Sequence, residues 1–141
     1  MYEPIRTKSV VHRMGAAPAD YPHRSRSEAL DIQLAGHLAA LLAVTDELGL
    51  DEAAARIAAQ VARLRGAQPT RAPQSPSPSP SYDPAEGTDT TTALHQRAHD
   101  LAARALLVAA SRADTTVAIL AAERMDAHAA ALTSQDLAGA L

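Results

Sequence analysis

Residues 68–84 have the sequence QPTRAPQSPSPSPSYDP and contain six of the nine prolines of the chain. The other three, Pro4, Pro18 and Pro22, lie near the N-terminus. A proline inside a helix removes a backbone donor and costs about 3 kcal/mol, so the two long proline-free stretches can be helical whereas residues 68–84 cannot. The sequence therefore predicts two alanine-rich helical blocks joined by an extended, proline-rich linker.

The core of this 141-residue chain has to be built from small and aliphatic side chains. The sequence has no Phe, Trp or Cys, and its three tyrosines, Tyr2, Tyr21 and Tyr82, lie outside the helical blocks. Roughly 90 residues remain for a core, a size at which burial is marginal. Because alanine buries little area, we expect a second copy or a partner helix to supply additional apolar surface.

The composition also excludes several functional classes. The absence of cysteine excludes disulfides, thiolate metal sites and cysteine nucleophiles. A net charge of −3 disfavours general nucleic-acid binding. The apolar run Ala105 to Ala110 is too short to cross a bilayer, and we expect no secretion signal at the N-terminus. We expect a cytoplasmic protein without membrane contact, and the excess of Arg and Ala over Lys indicates a high-GC bacterial coding bias.

Four segments follow from these patterns. They are a flexible basic N-terminal arm at 1–24, a helical hairpin or L-shaped helix pair at 25–66, a Pro/Ser-rich linker at 67–89, and a long helix at 90–141 with a possible kink near 111–116. The long helix is expected to pack with 25–66 as one core. The predicted fold class is all-α, an antiparallel bundle of three to four helices.

The first block has clear start and stop signals. Ser25 and Glu28 match a capping box, and Gly49 offers a left-handed cap, so a sharp turn is expected before Asp51, which can cap the second helix. An apolar stripe with steps of four and three follows the capping box. Its members are Leu30, Leu34, His37, Leu41, Val44 and Leu48.

The second block predicts a helix capped by one of Thr90 to Thr92 and running to at least Ala131, on the order of 60 Å if unbroken. Residues 111–116 are its weak point, because serine, aspartate and threonine prefer caps and turns. Both halves are apolar on nearly every side, which is typical of a helix with more than one neighbour. Leu101, Val108 and Ile119 therefore join the stripe of the first helix as candidate interaction residues.

Two groups of histidines are candidates for chemistry. His95 and His99 are four residues apart on one helix face, a spacing that lets both bind one metal ion. His128 falls on roughly the same face, and only a hairpin at 111–116 or a partner chain would bring it close. His37 interrupts an apolar stripe, so we expect a buried histidine bonded to Asp100 or Thr92, or a pH-sensitive or metal-linked contact.

No catalytic motif is evident, and no cofactor is expected. The turn before Asp51 is similar to a helix-turn-helix corner, but Asp51 and Glu52 at the start of the second helix would repel phosphate. The leading hypothesis is a small non-enzymatic interaction or oligomerisation protein that binds itself or a partner helix through apolar, coiled-coil-like faces. The alternatives are a metal-binding bundle that uses His95 and His99, and a DNA-associated regulator.

Overall fold

The computed structural model describes residues 25–71 and 84–139, with side chains in the second stretch from residue 87. These residues form four helices and no strand, which confirms the predicted all-α bundle. The helices are α1 (Arg26–Glu47), α2 (Asp51–Arg65), α3 (Pro84–Arg112) and α4 (Thr115–Gly139). The predicted arm at 1–24 and residues 72–83 of the predicted linker lie outside the described residues.

The boundaries of α1 follow the sequence signals. The Ser25 hydroxyl accepts a hydrogen bond from the Glu28 amide at 3.1 Å, and the Glu28 carboxylate accepts one from the Ser25 amide at 3.2 Å. Gly49 adopts a φ of 73°, and the amides of Gly49 and Leu50 close the end of α1 on its last carbonyls. The cap of α2 differs from the prediction, since Leu50 occupies the N-cap and Asp51 is already the first helical residue.

The region 90–141, predicted as a long helix with a possible kink or break near 111–116, is broken there, because the chain reverses at Ala113 and Asp114. Ala113 adopts a φ of 60°, and the amide of Asp114 bonds to the carbonyl of Ala109 at 2.8 Å, which terminates α3. Asp114 then caps α4 by accepting from the Val117 amide at 3.2 Å. The break lies within the stretch 111–116 that the sequence marks as weak, and α3 and α4 form a hairpin.

The predicted start of the third helix is wrong, since α3 begins at Pro84 rather than near Thr92. A proline fits the first helical turn, where its missing N–H would have no helical partner. The linker is therefore shorter than 67–89. The Thr91 hydroxyl donates to the Gly87 carbonyl at 2.8 Å, one turn earlier in α3. Thr91 is therefore a residue within the helix and not its N-cap.

Cross-helix ion pairs fix the direction of each helix. Arg112 at the end of α3 pairs with Asp31 near the start of α1, so these two helices are antiparallel. Arg63 pairs with Asp114, and Arg56 pairs with Glu123, which makes α2 antiparallel to α4. Each helix therefore runs antiparallel to its neighbours around the bundle, in the order α1, α2, α4, α3.

Because α2 and α3 point in the same direction, the chain between them must return along the length of the bundle. Arg71 binds Asp46 through two hydrogen bonds of 2.6 and 2.9 Å, close to the turn between α1 and α2. Residues 66–71 therefore already carry the chain back to that end. This agrees with the sequence-based idea that the proline-rich segment connects opposite ends of one core.

The core combines bulky residues of α1 and α2 with alanines of α3. Leucines of α1 fill its centre together with Ile57 and Val61 of α2. Every buried residue of α3 except Leu101 is alanine, which lets α3 approach α1 and α4 closely. The buried alanines are Ala98, Ala102, Ala105 and Ala109.

Candidate functional site

The predicted interaction residues fall into three environments. Buried positions in the core of the single chain are Leu34, Leu41, Val44 and Leu101, whereas Leu30, His37, Leu48 and Val108 are half-buried. Ile119 remains 54% exposed on α4. Most of the predicted apolar surface therefore stabilises the bundle itself, and a surface for a partner has to be sought elsewhere.

His37 does not meet the partners that the sequence suggested for it. Asp100 accepts a hydrogen bond from Gln96 at 3.2 Å, and Thr92 donates to Gln135 on α4 at 2.7 Å. These contacts lie within α3 and between α3 and α4, away from α1. The polar layer in the bundle interior, formed by His95 and His128, lies between α3 and α4 and does not include His37.

The α3–α4 hairpin brings His95 to His128 rather than to His99. The two Nδ1 atoms are 2.9 Å apart, and the ring centroids are 5.1 Å apart with the planes tilted by 50°. His128 is 0% exposed, while His95 is half-buried. This pair continues the buried stripes of both helices, so the α3–α4 contact changes here from apolar to polar.

Arg124 determines which ring nitrogens of the histidine pair carry protons. Its Nη2 lies 3.4 Å from His128 Nε2, and a guanidinium can only donate, so His128 Nε2 has no proton. Neutral His128 then carries its proton on Nδ1 and donates it to His95 Nδ1. His95 is left with its proton on Nε2, and the two neutral rings satisfy each other.

Burial and neighbouring charges keep both rings neutral. Desolvation is the main cause that lowers the pKa of His128 to about 4, and the charges of Arg124, His95 and His99 add to it. Desolvation and the charge of Arg124 also lower the pKa of His95. The layer is therefore uncharged near neutral pH, and protonation would place cations side by side in the interior.

The geometry gives no support to the predicted metal site at His95 and His99. His95 Nδ1 instead lies 2.9 Å from His128 Nδ1, which is a hydrogen-bond distance and shorter than the roughly 3.4 Å between two nitrogens bound to one tetrahedral ion. His99 instead lies 3.8 Å from the carboxylate of its neighbour Asp100. Among the residues that the structure describes, no group of three or more histidine or carboxylate side chains could hold a metal ion.

A cleft of about 360 Å³ lies beside the histidine layer at the start of α2. Its lining combines two arginines and two carboxylates with two apolar residues: Arg56, Arg124, Asp51, Glu52, Leu50 and Ala53. The lining contains no nucleophile with an adjacent base, and fully buried His128 is not accessible from it. Its carboxylates disfavour a phosphate ligand, so neither catalysis nor DNA binding gains support here.

Arg124 is nevertheless an unusual residue for a bundle interior. Its Nε atom is buried without a hydrogen-bond partner, and burial followed by the charge of Arg56 lowers its pKa. A desolvated donor without a partner costs about 1 to 3 kcal/mol. The buried Nε of Arg124 therefore opposes the stability of the fold.

Replacing Arg124 by methionine is expected to raise the free energy of unfolding by up to about 1 kcal/mol, because a stem of similar length remains and removal of the buried, unpartnered Nε donor outweighs the loss of the long 3.4 Å contact with His128. The matched control is Arg112→Met, which breaks the ion pair with Asp31 and should cost up to about 1 kcal/mol. Urea denaturation of both variants measures the difference. A loss of stability in Arg124→Met equal to that of the control would contradict this view of Arg124.

The surface of α1 that faces away from the bundle is the second candidate site, here called the outer face. It consists of the exposed residues Ala29, Ile32, Gln33, Gly36 and Ala43, flanked by half-buried Ala39 and Ala40. Ile32 is 53% exposed. No charged residue occurs between Asp31 and Asp46, so this face is uncharged over about three turns.

By length and composition alone, α1 is long and apolar enough to cross a membrane. In the bundle, 39% of its most apolar 18-residue stretch is buried. No other helix in the described residues meets this criterion. The sequence-based search for one continuous apolar run overlooked it, because Gln33, Gly36 and His37 interrupt the run. A helix of a bundle that is apolar on both its core side and its outer side has the same composition as a membrane-spanning helix.

No known protein family matches this chain, and neither a curated protein nor a solved structure resembles it. The sequence and the geometry of the chain are therefore what point to its function.

The sequence indicates the outer face of α1 and the His95–His128 pair to different extents. The outer face of α1 could have been found from the charge-free stretch at 32–45, since one helix cannot bury all of its sides against two neighbours. The pairing of His95 with His128 required knowledge that the chain reverses at Ala113. Arg124 carries no sequence signal other than its place one turn before His128.

Proposed function

We propose that this protein is a non-enzymatic helical interaction module, and that the outer face of α1 is the surface that binds a helix of its partner. The observation that carries the proposal is an uncharged, apolar helix face that no other described element covers. Such faces on soluble proteins typically mark interaction sites when their apolar residues are contiguous.

Contiguity separates this face from the other exposed apolar side chains. Leu107 of α3, Ile119 of α4 and Leu137 of α4 are also exposed. Each has a charged residue within four positions on its own helix, and single exposed apolar residues of this kind are normal. Ile32 also follows Glu28 and Asp31, but no charged residue lies between Ile32 and Asp46, so a partner helix can cover this stretch of the face without burying an unpaired charge.

The fold explains why α1 can present such a face. Its opposite side is anchored by leucines that are fully buried against α2 and α3, so the helix is held rigidly without its outer face. A preformed helix surface loses little conformational entropy on binding. This favours recognition of a helix laid along α1, with apolar anchors at helical spacing.

Photo-crosslinking in cells that express the full chain tests the proposal. A benzophenone amino acid at Gln33, on the outer face, is expected to give a covalent adduct, whereas the same residue at the exposed Ala59 of α2 should give none. An adduct at Gln33 of any discrete mass supports the interaction function. Adducts at neither position, or equally at both, would contradict it.

A further inference from the structure

We infer that the partner of α1 is a second copy of this chain, packed through the same outer face in an antiparallel dimer with Gly36 at the two-fold axis. The inference rests on the proposed function, because it names the occupant of that surface. It is carried by three properties of α1: the charge-free centre, the charges at its two ends, and the order of small and large residues between them.

The centre of the face suits self-association. In a two-fold symmetric contact, residues near the axis lie against their own copies, so a charge there would face an identical charge. The outer face has none within about two turns of Gly36 on either side. An interface with a different partner would have no such requirement and could include charges of one sign.

The ends of α1 carry opposite charges at matching distances from Gly36. Arg26 is ten residues before it and Glu47 is eleven residues after it, or about 15 and 16 Å along the helix axis. Antiparallel packing therefore places Arg26 of one copy beside Glu47 of the other, twice in the dimer. Both residues are exposed, and neither forms an ion pair within the described residues.

The side chains between these ends are complementary in size. The same register places Ile32 in one layer with Ala40 of the second copy, and Ala29 with Ala43. Gly36 meets itself, and a Cβ built on it would have nothing within 4 Å in the single chain. Two helices with alanine and glycine at the contact can approach to about 8 Å between axes.

The size of the contact sets the expected affinity. Two helices in contact over about five turns bury less than the roughly 800 Å² per partner of a standard interface. Association also has to offset the loss of translational and rotational freedom. The dissociation constant is therefore expected on the order of micromolar, so the dimer should form at tens of micromolar and dissociate on dilution.

Cysteine pairing tests the register directly, because the natural chain contains no cysteine. In the Gly36→Cys variant the two thiols face each other across the axis, within the range that a disulfide spans. In the matched control Ala43→Cys, the two copies of the residue are about 21 Å apart. Oxidised full-length Gly36→Cys should run as a dimer and Ala43→Cys as a monomer, whereas a mixture of Ala29→Cys and Ala43→Cys chains should form the mixed disulfide.

Each contrary outcome overturns the inference in a distinguishable way. Equal crosslinking of Gly36→Cys and Ala43→Cys would indicate random collision. Failure of Gly36→Cys to crosslink, together with a photo-adduct at Gln33 whose mass differs from that of two chains, would replace the second copy by another protein and leave the interaction function intact. Monomeric protein that floats with lipid vesicles would assign the outer face of α1 to a membrane instead.

Discussion

Acidification from pH 7 to pH 4 is expected to lower the free energy of unfolding by up to about 3 kcal/mol through His128 alone. The pKa of His128 is lowered to about 4 in the folded chain, against about 6.5 for an unperturbed histidine. Between these two values the unfolded chain binds a proton that the folded chain does not. The stability is therefore complete above about pH 6.5 and is lost as the pH falls towards 4.

This loss of stability is expected to arise from contacts in the interior of the α3–α4 hairpin. A proton on His128 removes the acceptor that faces Arg124, and it adds a cation beside Arg124 and His95. Urea denaturation at several pH values measures the loss. The His128→Leu variant should show a smaller decrease, by up to about 3 kcal/mol, because a side chain of similar volume remains and the titrating group is removed.

A second substitution of the same kind serves as the control. His37→Leu on α1 leaves the His95–His128 layer untouched and should retain the acid-dependent loss of the unmodified chain. Histidine proton resonances followed by NMR give the pKa of His128 independently. A value near 6.5 for His128, or equal pH dependence of the His128→Leu variant and the unmodified chain, would contradict this description of the layer.

Replacing Gly36 by glutamate is expected to abolish dimerisation while strengthening the single chain. Two carboxylates at the two-fold axis would lie within a few ångströms of each other in an apolar contact, at a cost of several kcal/mol. This corresponds to a dissociation constant at least about 100-fold weaker. In the single chain Gly36 is helical and exposed, so glutamate should add about 0.5 to 1 kcal/mol of helix stability.

The opposite signs of these two effects separate loss of the interface from loss of the fold. Light scattering at about 100 µM, well above the micromolar dissociation constant expected for this contact, gives the first, and thermal unfolding of dilute protein gives the second. The matched control is Ala59→Glu on the exposed side of α2, which introduces the same charge away from α1. A dimer that persists in Gly36→Glu, or that is lost equally in Ala59→Glu, would remove α1 from the interface.

The local signals of the sequence predicted the ends of α1 well. Ser25, Glu28 and Gly49 act through contacts with residues at most four positions away, so their roles do not depend on the rest of the fold. The break within 111–116 also has a local signal, since Asp114 caps α4 through the Val117 amide, but no local signal shows that the chain reverses at Ala113. Ala113 must adopt a positive φ that alanine disfavours, and the packing of the alanines of α3 against α1 and α4 offsets that cost.

Of the two candidate sites, only the histidine pair depends on the reversal of the chain at Ala113. His95 and His128 are thirty-three residues apart and become neighbours only once α3 and α4 form a hairpin. The prediction that apolar residues such as Leu34 and Leu41 form an interface followed from treating the chain as too poor in bulky residues for a core. In the structure, Leu34 and Leu41 pack in the core of the single chain, whereas Ile32 and Gly36 are exposed on the outer face of α1.

Sedimentation equilibrium of the unmodified full-length chain at neutral pH tests most directly whether α1 joins two copies. Across concentrations from about 1 to 300 µM, spanning the micromolar dissociation constant expected for a contact of this size, the average mass should rise from the 14.7 kDa of one chain towards that of two. Gly36→Glu should remain at the mass of one chain throughout. A constant monomer mass for the unmodified chain over the whole range would contradict the account.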